Sequence, residues 1–114
     1  MLMSALVGTG DEVLVPSPCY SLWSNNTYLG GGKPVYYRCD PQNAWNPDLE
    51  DMRAKITGRT KAILVINPNN PTGAIYSKET LLAIAQLARE NHLLLLADEI
   101  YDRLTLENAP TYSM

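Results

Sequence analysis

Three short stretches of this chain concentrate residues able to do chemistry: Asp98-Glu99-Ile100-Tyr101, Asn67-Pro68-Asn69-Asn70-Pro71-Thr72-Gly73 and Pro16-Ser17-Pro18-Cys19-Tyr20. Each follows an apolar run. Asp98 comes directly after Leu93-Leu94-Leu95-Leu96-Ala97, so its carboxylate emerges at the edge of a low-dielectric interior. Unpaired there, it would tend to take up a proton. A cation keeps it ionised, with an attraction of about 4 kcal/mol at ~4 Å for an effective dielectric near 20. That cation belongs either to a ligand or to Arg103, and an upstream backbone amide is a further partner. Glu99 points the opposite way along the strand, toward solvent. Tyr101 lies three residues past Asp98 and shares its side if a helical turn begins there; otherwise it is an interface tyrosine. Asn70 offers a donor and acceptors, either to a ligand or to the backbone of its own turn. Tyr20 can stack on a flat aromatic ligand or pack on Trp23.

Other reactive side chains fit these stretches poorly. His92, the sole histidine, falls at the end of a helical pattern and reads as a terminator. Ser77-Lys78 opens a helix straight after the asparagine turn, as a cap with a solvated lysine, and Lys33, Lys55 and Lys61 are no better placed. Cys19 and Cys39 have neither metal-ligand spacing nor a disulfide framework.

The elements that must position these groups alternate between strand and helix. Ala62-Ile63-Leu64-Val65-Ile66 is an unbroken apolar and β-branched run, a strand buried on both faces. Pro68 and Pro71 stop it and push the asparagine before each into an extended conformation; Gly73 then permits a turn. Ser77 caps the longest helix, with Leu81, Ile84, Ala85 and Ala88 at helical spacing, and 93–97 is the next strand. Upstream, 12–16 is a strand and Tyr20 to Leu29 a weak helix closed by Gly30-Gly31-Gly32. Pro34 to Cys39 is a more amphipathic strand suited to a sheet's flank. Asn46 is expected to cap a helix with Pro47 at its first position, followed by the acids Asp48, Glu50 and Asp51. Met1 to Val7 reads as the last turns of an apolar helix, and 107–114 carries no usable periodicity.

The pattern is α/β: a mainly parallel sheet with helical crossovers. Two of its strands require helices on both faces, more than the chain supplies, so apolar surface is expected to stay exposed. Ligands of such sheets bind outside the carboxyl ends of the strands, which is where the three reactive stretches fall. A net charge of −3 gives no footprint for nucleic acid or an anionic membrane. No apolar run approaches the roughly 20 residues of a membrane span. The first seven residues lack a basic leader and a cleavage site. Together with cysteines that read as reduced thiols, this points to a cytoplasmic protein.

Taken together, the 16–20, 67–73 and 97–101 motifs resemble the fold-type-I pyridoxal 5′-phosphate aminotransferases of class I/II. The resemblance runs over nearly all 114 residues. Trp45 to Asp51 and Lys55 to Lys61 look most similar to the bacterial alanine (glutamate–pyruvate) aminotransferases. The resemblance implies that residues 1–114 are a central piece of the cofactor-binding large domain, incomplete at both ends. Asp98 would ion-pair with the protonated pyridine nitrogen. Tyr101 and Asn70 would hydrogen-bond the phenolic oxygen, Asn70 also lying near the substrate carboxylate, and Tyr20 would stack on the ring. Cis peptide bonds are implied before Pro18 and Pro71. The Schiff-base lysine, the glycine-rich phosphate loop and the carboxylate-binding arginine would fall outside the chain, leaving no catalytic residue within it and no activity for the segment alone. The implied whole is a homodimer acting on an amino acid and a 2-oxo acid. A carbon–sulfur lyase of the same fold, the aminotransferase-like sensing half of a transcription regulator and a bare structural fragment with no ligand are the competing readings.

Overall fold

In a computed structural model of the chain, the described residues are 7–18, 21–69, 72 and 74–99. The elements, in order, are β1 (Glu12–Ser17), α1 (Ser21–Leu29), β2 (Lys33–Asp40), a 3-10 turn (Pro41–Asn43) and β3 (Asn46–Pro47). They continue with α2 (Leu49–Lys55), β4 (Thr60–Ile66), α3 (Lys78–Glu90) and β5 (Leu94–Asp98). The sheet order is β3-β2-β1-β4-β5. β1 pairs in parallel with β2 and β4, β4 pairs in parallel with β5, and only the two-residue β3 runs antiparallel to its neighbour.

Alternation along the central strands separates two cores. Leu14, Ile63 and Val65 face one side with Tyr37, Cys39, Met52, Tyr76, Leu81, Ile84, Leu87 and Ala88, and so lie beneath α2 and α3. Val13, Val15, Ala62, Leu64 and Ile66 face the other, where Val7, Trp23 and Leu96 join them. Both faces of β1 and β4 are thus covered, which is why those strands read as unbroken apolar runs. β2 alternates buried and exposed positions, as a flanking strand should. β5 is only half covered. Apolar surface remains open as expected: Leu29 on α1 is 79% exposed, and Leu82 and Leu94 are also exposed.

Local chemistry explains the boundaries. The Ser77 hydroxyl accepts from the Thr80 amide at 3.1 Å and starts α3. Asn91 caps its other end, the side-chain amide donating to the Leu87 carbonyl at 2.9 Å. His92 follows with φ of 55°, its backbone amide donating to the Arg89 carbonyl, so the histidine ends the helix through its main chain. The start of α2 differs from the sequence expectation. Asn46 and Pro47 are not its cap and first residue; they pair with Asp40 and Cys39 as β3, and Asp48 is the cap. Its carboxylate accepts from the Glu50 and Asp51 amides, both at 3.1 Å. Of two eligible caps in Asn46-Pro47-Asp48, strand pairing takes the first and leaves the second. The helix expected over Met1 to Val7 falls mostly outside the described residues.

Candidate functional site

Because β1, β4 and β5 are parallel neighbours, their carboxyl ends open onto one edge. Ile66 pairs with Asp98 in the β4–β5 register, and the Asn67 amide then donates to the Asp98 carbonyl at 3.0 Å. The turn that begins there closes on itself. The Asn69 amide donates to the Ala74 carbonyl at 2.9 Å, and the Thr72 hydroxyl accepts from the Ala74 amide at 3.2 Å. The Asn67 side-chain carbonyl accepts from the buried Tyr76 amide at 3.0 Å. The Asn69 side-chain amide reaches the Pro18 carbonyl after β1 at 3.4 Å, near the limit for a hydrogen bond. The Ser17–Pro18 peptide is cis, as the family resemblance implied, and so is Asn67–Pro68, which the resemblance did not imply; Asn70–Pro71 falls outside the described residues.

Asp98 is half-buried, and its Oδ2 accepts a hydrogen bond from the Trp23 indole Nε1 at 2.8 Å. The carboxylate is therefore not turned into bulk solvent, and the Asp98 backbone is tied to the asparagine turn. An N–H at this distance holds a carboxylate in one orientation. Glu99 is half-buried rather than solvated. Tyr20, Asn70 and Tyr101 lie outside the described residues, so Asp98 is the one sequence-predicted site residue with a described setting.

Sequence reasoning missed two features. Trp23 was weighed only as a packing partner for Tyr20; its place one helical turn after Tyr20, near the start of α1, was the available signal. The three asparagines were read together as groups delivered to the edge, yet Asn67 and Asn69 are each only 3% exposed. They build the turn. The Asn67 Nδ2, the Asn69 Oδ1 and the Tyr76 hydroxyl are buried without a hydrogen-bond partner. The Cys39 thiol and the Asn69 side chain lie beside the Tyr76 hydroxyl, and burial, reinforced by Cys39, pushes the phenol well up from its ordinary value.

The lysines are elsewhere. Lys33 is the first residue of β2 and Lys61 the second of β4, at the opposite edge of the sheet, and Lys78 is exposed at the start of α3. The Lys55 ammonium is held by Asp51 at 2.9 Å and by the Tyr36 carbonyl at 2.7 Å. Among the described residues, no helix is long and apolar enough to cross a membrane.

A parallel α/β sheet with an indole-anchored carboxylate and a self-closed asparagine turn at its carboxyl edge defines an α/β domain whose candidate site lies at that edge. Comparison with known proteins narrows this class. The family description "Aminotransferase class I and II" matches residues 1–113, and the chain belongs to that family. It is 54% identical over 114 residues to the alanine aminotransferase of Mycobacterium tuberculosis, covering all of this chain and 27% of that protein. It is 53% identical over 112 residues to the glutamate-pyruvate aminotransferase AlaA of Escherichia coli, covering 98% of this chain and 28% of that one. Among solved structures, an aminotransferase from Escherichia coli superposes with a TM-score of 0.96 at 53% identity, over 97% of this chain and 28% of that one. The aspartate aminotransferase of Thermus thermophilus with maleate superposes with a TM-score of 0.94 at 43% identity, over 98% of this chain and 29% of that one. The fold is therefore that of a segment of the fold-type-I aminotransferases. The chain spans about a quarter of the length of the curated relatives it matches.

Proposed function

We propose that the protein at its natural full length is a pyridoxal 5′-phosphate-dependent aminotransferase, moving an amino group between alanine or glutamate and a 2-oxo acid. The observation that carries this reading is the Asp98 carboxylate, half-buried at the sheet edge and fixed by the Trp23 N–H at 2.8 Å. Such a group fits the cofactor's pyridine nitrogen, because an oriented carboxylate in a partly desolvated setting favours a cationic N–H partner. When bound, pyridoxal phosphate supplies an electron sink for carbanion chemistry at the substrate.

In this reading Asp98 holds the proton on the ring nitrogen, and Trp23 holds Asp98. Tyr20 covers the ring face and excludes water from it. Asn70 and Tyr101 donate to the phenolic oxygen, Asn70 also meeting the substrate carboxylate; these roles rest on the motifs the residues occupy. The substrate pair is supported by the names of the relatives at 53–54% identity. A homodimeric assembly and a cytoplasmic location complete the reading, carried by the family resemblance and the sequence alone.

The test is glutamate formation from alanine and 2-oxoglutarate by the full-length protein, with Asp98→Ala as control. Activity that requires the cofactor and falls with Asp98→Ala supports the reading. Release of pyruvate, ammonia and a thiol from a cysteine thioether, with no amino transfer from alanine, overturns it in favour of a lyase. The 114-residue chain alone is expected to give no turnover.

A further inference from the structure

We infer that Asn67 is a positioning residue: its side-chain carbonyl fixes where the asparagine turn stands relative to Asp98, and so sets how tightly the edge holds a flat, cationic cofactor. The inference rests on the cofactor reading above and adds to it a residue that does not itself face the ligand.

Asn67 touches both the strand end that carries Asp98 and the exit of the turn. Through its backbone amide it is tied to the Asp98 carbonyl at 3.0 Å, at the strand end that presents the carboxylate. Through Oδ1 it is tied to the Tyr76 amide at 3.0 Å, nine residues further on, where the chain leaves the turn. The bridge thus spans the turn from its first residue to its exit. Tyr76 is a firm anchor, since its ring is fully buried among Cys39, Leu14 and Met52 in the larger core. Serine or threonine is too short to make the same bridge, and an apolar side chain would strand a buried N–H.

The other half of the amide argues against a role in stability alone. Asn67 Nδ2 is buried with no hydrogen-bond partner. Burying a donor in this way disfavours folding and offsets much of what the Oδ1 bond contributes. What the residue retains is geometry: a fixed spacing between the turn and the strand end beside it.

The experiment is a spectrophotometric titration of the full-length protein with pyridoxal phosphate, well below the melting temperature. Asn67→Leu keeps the size and removes the acceptor; it is expected to weaken binding about tenfold, the effect of one lost hydrogen bond. Asn67→Asp is expected to restore binding to within about threefold, because a carboxyl this buried stays protonated and offers the same carbonyl. A merely structural role would lower the melting temperature of Asn67→Leu and leave the affinity unchanged, and that result overturns the inference while the cofactor reading stands. A parent protein that binds no pyridoxal phosphate overturns both. Should Asn67→Leu fail to fold, amide exchange in the parent decides: cofactor binding should slow the Tyr76 amide by about tenfold or more. An unchanged rate refutes the coupling.

Discussion

Replacing Trp23 with phenylalanine removes an N–H from Asp98 and tests whether the carboxylate works because it is held. The bond is 2.8 Å long and its acceptor is half-buried. Hydrogen bonds to charged groups contribute about 1.5–3 kcal/mol. Partial solvation places this one near the lower end, about 1.5 kcal/mol, or about tenfold in an equilibrium constant. If the bond serves to orient Asp98 toward a cationic ring, Trp23→Phe should weaken pyridoxal phosphate binding about tenfold.

The substitution also trims a ring packed against the smaller of the two cores, so a loss of affinity by itself is ambiguous. A double-mutant cycle resolves it. Asp98→Ala removes an ion pair of up to about 4 kcal/mol at an effective dielectric near 20, and half-exposure reduces that to about two orders of magnitude in affinity. Trp23→Phe on top of Asp98→Ala should then change binding by less than about threefold, since the indole has nothing left to orient. Both series are read by cofactor absorbance on the full-length protein, with melting temperatures recorded alongside. Equal losses from Trp23→Phe in the two backgrounds would show that the indole acts through packing and refute the orienting role.

Two further predictions concern stability. Tyr76→Phe deletes a buried hydroxyl that has no partner, so it should be neutral or stabilising by up to about 1 kcal/mol at neutral pH, as thermal melting would show; a loss above that would mean the hydroxyl is bonded after all. Because burial raises the phenol in the folded state, its contribution to stability is complete below the ordinary value of 10.0 and declines as pH rises past it, where only the unfolded chain ionises. The Phe variant should therefore melt less steeply with pH on the alkaline side. At Asp51, burial pushes the carboxyl upward, but the Lys55 ammonium and the Arg38 amide at 2.8 Å outweigh it and leave the group lowered. Its contribution is present above the ordinary value of 3.8 and disappears as pH falls through the folded one. Asp51→Ala should cost about 0.5–1 kcal/mol at pH 7 and little in acid, measured by denaturant unfolding; an equal loss at both pH values would assign the effect to packing.

Legibility in the sequence followed how local each cause was. The strands over 12–17 and 60–66 could be read because both their faces are covered, which leaves a continuous apolar run. Ser77 could be read because a cap bonds within its own turn. The start of α2 could not, because Asn46-Pro47-Asp48 offers two caps and the choice is made by β2, through Asp40 and Cys39. At the site, the strand ends that carry Asp98 and Asn67 follow from the pattern. The indole that holds Asp98 comes from 75 residues away, so its spacing from Tyr20 marks it as a candidate without showing what it bonds.

The division of labour among the asparagines follows from the same distinction. A turn at the end of a buried strand must satisfy its backbone groups without water, and two of the three asparagines do so: Asn67 bridges the turn, and Asn69 closes it onto Ala74 and reaches Pro18. Polar atoms left unbonded on Asn67, Asn69 and Tyr76 disfavour the folded state, and an apolar turn of equal size would avoid them. Stability therefore does not account for this turn. A requirement for fixed spacing does, because short amide bridges hold two strand ends and the loop between them more tightly than non-directional packing can. The strained polar balance lies beside the carboxylate that the proposed chemistry needs most closely held, which is where such a cost would be tolerated.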